Sequence, residues 1–331
     1  LGYYLGPHDG SSLFNQYLSL LGKEAIVCLS AGNEGNKRVY IPFDAVDDGD
    51  EMKTFVYDNP KVCGIEMHGA IDLWSGDDRE FLVAMTIYDR VTKEFVYTSP
   101  FIGAMSGSAS SWGISSSAIA TDNDVSIPLF ENGLTGAVRI YSSLNLENNR
   151  YNVYATVDVK NNQLDASGRL GRYCIGFITR AQAGMHIDAY ADGSRLIFNS
   201  LGVEGFTMGI SQRSISDLAC GENVFVVGAS NSRNTAPQVD GSVSKYGFNV
   251  GNVADFSSYG TLDDGRHLPH ICAPGNMIVS SINSHYVSLL SESTLGSLAA
   301  KTTVDGKDYY WISECGTSMS SPHVALKPIL L

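Results

Sequence analysis

Apolar residues recur at helical spacing in SSLFNQYLSLLG, residues 11–22, where Leu13, Tyr17, Leu20 and Leu21 fall on one face. A serine start and Gly22 bound the predicted helix. EAIVCLS, residues 24–30, is then an unbroken apolar run, the pattern of a strand covered on both faces, and it empties into the glycine-rich turn AGNEGN. The pattern changes after Asn36. From about residue 37 to 215 come short runs of period two or of β-branched and aromatic residues: DREFLVAMTIYD, KEFVYTS, GAVRIYSS, YNVYATVDV, GRYCIGFITR and GMHIDAYAD. Gly, Asn, Asp and Ser clusters separate them, and no segment reads as a long helix. So many strands predict an antiparallel β-sandwich of the jelly-roll type. GSASSWGISSSAIATDND reads as a connection or an irregular edge.

At about residue 216 the first pattern returns. ENVFVVGAS is a second buried-strand run, followed by loop-rich sequence, a polar segment over 284–310 expected to be mobile, and finally ECGTSMSSPHVA, residues 314–325. The predicted fold class is α/β: a doubly wound parallel sheet that opens, admits a β domain, and closes again.

Composition narrows the function. Twenty-two Lys and Arg against 35 Asp and Glu leave a formal charge of −13, which argues against sequence-independent nucleic-acid binding. No run is long enough to span a membrane. LGYYLGPHDG has neither the basic start nor the apolar core of a signal peptide. The six cysteines show no CxxC spacing, and most sit in apolar runs, which favours buried thiols over bridges or zinc ligands. Compartment stays open.

Two residues invite chemistry. Ser318, small and polar before an apolar stretch, is either a helix cap or a hydroxyl held to react. Asn33 is either a turn residue tolerating a left-handed backbone or an amide donor.

AGNEG (31–35), VGAS (227–230), ADFSSYG (254–260), CAPG (272–275) and GTSMSSPHVA (316–325) stand in the order found in subtilisin-like serine proteases, and the chain resembles that family. The similarity covers about residues 1–36 and 216–326, with the β region as an insert. It divides the chain into a first subtilase segment (1–36), an inserted sandwich (37–215) and a second subtilase segment (216–331). Clostridial germination proteases of the Csp type resemble this arrangement.

The resemblance implies Ser318 as nucleophile and Asn33 as oxyanion donor, with the Ser318 backbone N–H as the second donor. It implies that Leu1, Gly2, Ser30, Ala31 and Gly32 flank the primary specificity pocket, where extended peptide adds as a strand. Glu34 would lie at its rim and weakly favour a basic substrate residue. His323, five residues beyond the nucleophile, is expected to pack. His68, in MHGA, follows AGNEG, whereas the family order is Asp, His, Asn, Ser, so it is not expected to be the base. A serine hydroxyl needs a base and an orienting carboxylate, and neither family motif is present. The expectation is an interior piece of a larger protease, with Asp and His on an upstream segment of the same parent. Pro328 would end the last helix early. The expected partner is a protein or peptide substrate, with no cofactor and no metal in the chemistry. The alternative is an inactive pseudoprotease serving binding or signalling.

Overall fold

A computed structural model describes residues 3–58, 65–103, 108–114, 133–193 and 195–326, the backbone alone over 108–114. The unbroken apolar runs form a three-stranded parallel sheet. Cys28–Ser30 pairs with Phe225–Asn231, which pairs in turn with Ile271–Asn276. The helix Thr317–Leu326 packs across all three strands. On the other side Leu18, Ala31, Ile215, Val224 and Val226 close a small core. This is the subtilase-like α/β part of the fold.

The alternating runs form the β insert. One six-stranded sheet has the order 40–44, 186–191, 66–75, 150–161, 134–145, 108–114. The other runs 196–199, 51–58, 173–180, 82–89, 94–98, with Ile102–Gly103 also paired to Leu82–Asp89. Every pairing within both is antiparallel. Period-two side chains meet between them. Met67, Ile71 and Leu73 from one sheet and Val83, Met85 and Ile87 from the other share one core.

The insert is clasped where the chain leaves and returns. Tyr40 and Ile210 exchange backbone hydrogen bonds, Tyr40 N–H donating at 3.1 Å and Ile210 N–H at 2.8 Å. Phe198 N–H donates to Arg38 O, and Ala191 N–H to Val39 O, each at 2.8 Å. A buried ionic network ties the insert to its host. Asp188 of the insert, fully buried, meets Arg150 Nη2 at 3.1 Å, Arg213 Nη1 at 3.2 Å and His186 Nε2 at 3.1 Å, and accepts from the Tyr40 hydroxyl at 2.6 Å. Arg150 reaches Asp9 Oδ2 at 3.1 Å, and Arg213 reaches Asp263 at 2.9 Å.

Three expectations are corrected. The first helix forms, as Leu13–Leu21 with Ser12 accepting from Asn15 N–H at 3.3 Å, but its apolar face is not the buried one. Leu13, Tyr17 and Leu20 are 69%, 60% and 62% exposed. The helix docks by its other side. Asn15 Nδ2 donates to Asp217 O at 2.8 Å, Ser19 Oγ accepts from Glu222 N–H at 2.8 Å, and Leu18 is buried. Second, residues 284–310 are built as short helices (Ser284–Val287, Glu292–Gly296) and a hairpin. Its strands Ala300–Val304 and Lys307–Glu314 pair with each other, and the second also pairs with Ile278–Ser281. Asp305 and Gly306, at φ 49° and 74°, make the two-residue turn, and Asp-Gly is the signal for such a hairpin. Third, within GSASSWGISSSAIATDND, Ser108–Ile114 is a regular edge strand paired along Gly136–Ser142; the rest of that stretch, Leu1, Gly2 and Pro328 lie outside the described residues.

Candidate active site

The strand Cys28–Ser30 runs out into the loop that carries Asn33, and the helix Thr317–Leu326 starts beside it. Asn33 Oδ1 accepts from Thr317 N–H at 2.9 Å and from the Thr317 hydroxyl at 3.2 Å. Gly32 N–H donates to the same hydroxyl at 3.2 Å, and Ser30 Oγ lies 3.2 Å from Ser321 Oγ. With its oxygen so engaged, Asn33 leaves Nδ2 as a donor with no partner among the described residues. Ser318 is the second residue of the helix, exposed, and its hydroxyl makes no hydrogen bond among the described residues. It does not cap. The free N–H groups and positive end of the helix dipole lie at that position, so negative charge on the oxygen of a carbon bonded to Ser318 Oγ would form where the backbone favours it.

Beneath the loop stands Tyr4. Its hydroxyl accepts from Asn33 N–H at 2.6 Å. Gly32, at φ 114°, lets the ring approach: a Cβ there would come within 2.9 Å of Tyr4 Cε1 and 2.8 Å of Ser258 Oγ. The phenol is driven well above its ordinary pKa by burial and by the Glu34 charge, so it stays a neutral hydroxyl. Ser258 completes the support, its hydroxyl accepting Glu34 N–H at 2.9 Å. Neither Tyr4 nor Ser258 was singled out from the sequence. The tyrosine pair directly after Leu1-Gly2 was the available signal.

Glu34 is corrected. It is 3% exposed, not on an open rim. Its carboxylate pairs with Lys37, and Gly193 of the insert covers it so closely that a Cβ there would come within 2.9 Å of Glu34 Cδ. Burial raises its pKa against the pull of Lys37. Ala31 is also fully buried, and its backbone is spent inside the fold. Its N–H donates to Val227 O at 2.9 Å and its carbonyl accepts from Ser216 at 2.8 Å, while the Gly32 carbonyl accepts from Ser258 at 3.0 Å. These groups can form a wall, but they are not free to pair with an extended peptide.

Each of the seven histidines has another position. His323 Nδ1 lies 2.8 Å from Met319 O of its own helix. His68 pairs with Asp158 on the insert at 2.6 Å. His186 bridges Asp44 and Asp188, and His8 is buried against Tyr190 with Nε2 2.9 Å from Tyr4 O. His270 accepts from Val226 N–H, His267 pairs with Thr261, and His285 lies on the short helix Ser284–Val287. The five described cysteines are free thiols. One group of metal-ligating side chains occurs among the described residues, His8, Asp217 and Cys220, all buried and without Ser318 among them.

Residues 157–327 match the subtilase family, Peptidase S8. The chain belongs to the subtilase family. The solved structure of the Clostridium perfringens CspB protease shares the fold of this subtilase, with a TM-score of 0.56 at 16% identity. The match covers 98% of this chain and 53% of that one, so the chain spans about half the length of the solved protease. No curated protein matches its sequence.

Proposed function

We propose that this subtilase is a serine endopeptidase acting through an acyl-Ser318 intermediate, with its Asp and His supplied by a further segment of the same parent protein. The observation that carries the reading is the contact between Asn33 and Thr317, which leaves a free amide donor beside an exposed, unbonded serine at a helix start. In this reading Ser318 Oγ attacks the peptide carbonyl carbon as the histidine takes the hydroxyl proton. The oxygen becomes anionic between Asn33 Nδ2 and the Ser318 N–H. The carbon–nitrogen bond then breaks, the histidine returns the proton to the leaving amine, and water repeats the sequence on the acyl-enzyme.

Exposed apolar side chains support a missing neighbour. Phe225 and Ile271 on the parallel sheet, Ile26 before it, and Leu13, Tyr17 and Leu20 on the first helix are all roughly half exposed or more. Burying the part still exposed is worth roughly 1 kcal/mol or somewhat more for each side chain, and a further segment of the parent would do so.

The test is labelling with a serine-directed fluorophosphonate, followed by peptide mapping. The parent protein should label at Ser318 and Ser318→Ala should not, while the 331-residue chain alone should label weakly. Among the described residues none of the seven histidines hydrogen-bonds Ser318, which favours one second reading, a pseudoprotease used for recognition. An unlabelled parent would select it.

A further inference from the structure

A pocket of about 390 Å³ lies between residues 3–5 and the insert. Tyr3 and Tyr4 wall it from the subtilase side, and Tyr154, Thr156, Asp192 and Arg195 from the insert. It adjoins the candidate active site through one side chain, because the Tyr4 hydroxyl that accepts Asn33 N–H belongs to a residue of this wall. A peptide seated against the Asn33 loop could therefore place one of its side chains here.

The chemistry of the wall selects among side chains. Three tyrosines, Tyr3, Tyr4 and Tyr154, line it, and aromatic rings attract a cation and pack an aliphatic stem. Asp192 is held by its own backbone, Oδ1 accepting from the N–H groups of Arg195 at 2.8 Å and Leu196 at 3.0 Å. Its Oδ2 accepts no hydrogen bond among the described residues. That atom lies over Gly69 in the same wall, where a Cβ would come within 2.8 Å of it. Arg195 is exposed and makes no ion pair among the described residues, so its flexible stem can leave the mouth open. The lining holds one carboxylate, Asp192, and one cation, Arg195. Burial and then Asp72 raise the Tyr3 and Tyr154 phenols, with Asp192 adding to the second.

We propose that this pocket is a substrate subsite, built jointly by the subtilase part and the insert, that takes an arginine or lysine side chain of the bound peptide. The proposal rests on the peptidase reading for the identity of its ligand, not for the chemistry of the pocket.

Two measurements keep those apart. In the first, N-acetyl-arginine methylamide is titrated into the 331-residue chain by calorimetry, with the methionine and glutamate analogues as uncharged and acidic controls. The arginine probe should bind at least about fivefold more tightly than either control. Asp192→Asn keeps Oδ1 for both backbone donors and should erase that preference, with thermal stability unchanged. Thr156→Lys, which puts a cation into the pocket from the sheet, should weaken the arginine probe by a similar factor. Equal binding of the arginine and methionine probes, tighter binding of the glutamate probe, or an unchanged preference in Asp192→Asn would overturn the proposal. In the second, the parent is labelled at Ser318 with fluorophosphonate. Failed labelling beside an Asp192-dependent arginine preference sinks the peptidase reading and leaves the pocket's selectivity standing. Labelling without that preference sinks the pocket alone.

Discussion

Asn33 Oδ1 and Thr317 N–H meet at 2.9 Å across 284 positions of sequence. One bond thus sets the loop that carries the candidate oxyanion donor against the residue before the candidate nucleophile. It also gives Asn33 two separable jobs, acceptor through Oδ1 and donor through Nδ2.

Those jobs come apart in Asn33→Asp and Asn33→Ala. The aspartate keeps an acceptor for Thr317 but loses the amide donor. In the labelling-competent parent it should lower kcat by about 10²–10³, the size known for losing this donor in a subtilisin, with KM little changed. Its urea midpoint should stay near wild type. Asn33→Ala should lower kcat similarly and also lose about 1 kcal/mol of stability, since Thr317 N–H is left without its acceptor. Equal stability losses in both variants would refute the division.

Tyr4→Phe removes only the hydroxyl that accepts Asn33 N–H. Leaving that donor unpaired should cost about 1–3 kcal/mol, read by thermal melting. If the hydroxyl also holds the loop in register, kcat should fall several-fold more than KM rises. A stability loss with unchanged kcat would reduce Tyr4 to a packing residue.

Arg150 joins Asp188 of the insert to Asp9 of the host at 3.1 Å each. Arg150→Met leaves two carboxylates without that partner in a buried site, and should cost about 3–5 kcal/mol, measured by urea unfolding. Lys160→Met, at an exposed pair with Glu66, should cost less than about 1 kcal/mol. Similar losses in the two would mean the buried network adds nothing to the union of insert and host.

Two histidines couple stability to pH in opposite directions. His186 is raised to about 9 by its hydrogen bond to Asp188, with Asp44 adding to it against burial. A base whose pKa is raised on folding contributes fully below its unfolded pKa, about 6.5, and loses that contribution as pH climbs through 9. The side chain is partly exposed, so after discounting for solvent screening the effect is about 1 kcal/mol. His8 is lowered to about 4 by burial. Its neutral form is the native one, so its own contribution falls as pH drops from 6.5 towards 4, while Asp217 and Asp72, raised by burial to about 7 and about 6, act in the opposite sense over that range. Urea midpoints should decline as pH rises above 6.5, and His186→Gln should flatten that decline. An unaltered alkaline decline in that variant would remove His186 as the cause.

Local pattern carried most of what could be anticipated. The runs EAIVCLS and ENVFVVGAS became neighbouring parallel strands, as short unbroken apolar runs predict, though Ile26 and Phe225 stay more than half exposed. GTSMSSPHVA and AGNEG could be read as partners because each holds its chemistry within a few residues. What escaped the sequence depends on distant chain. Glu34 is buried because Gly193, 159 positions away by their numbering, closes over it. The first helix turned its polar side inward because Asp217 and Glu222 offered partners to Asn15 and Ser19 that periodicity does not register. The hairpin over 300–314 was locally legible through Asp305-Gly306, and its exposed strands concealed it by lacking apolar alternation.

The backbone clasp between Tyr40 and Ile210 has a consequence for chain entropy. Left open, the insert would be a loop of roughly 170 residues for the host to close, and each doubling of loop length costs about 0.6 kcal/mol. Zipped at its base, it presents two ends already held together, the equivalent of a loop of about ten residues, which is about four doublings fewer and spares the host about 2 kcal/mol. The closure of the helix Thr317–Leu326 onto the Asn33 loop is therefore nearly independent of how long the sandwich is. Strands could lengthen, or new ones be added at the far end of the insert, and the host would register little of the change.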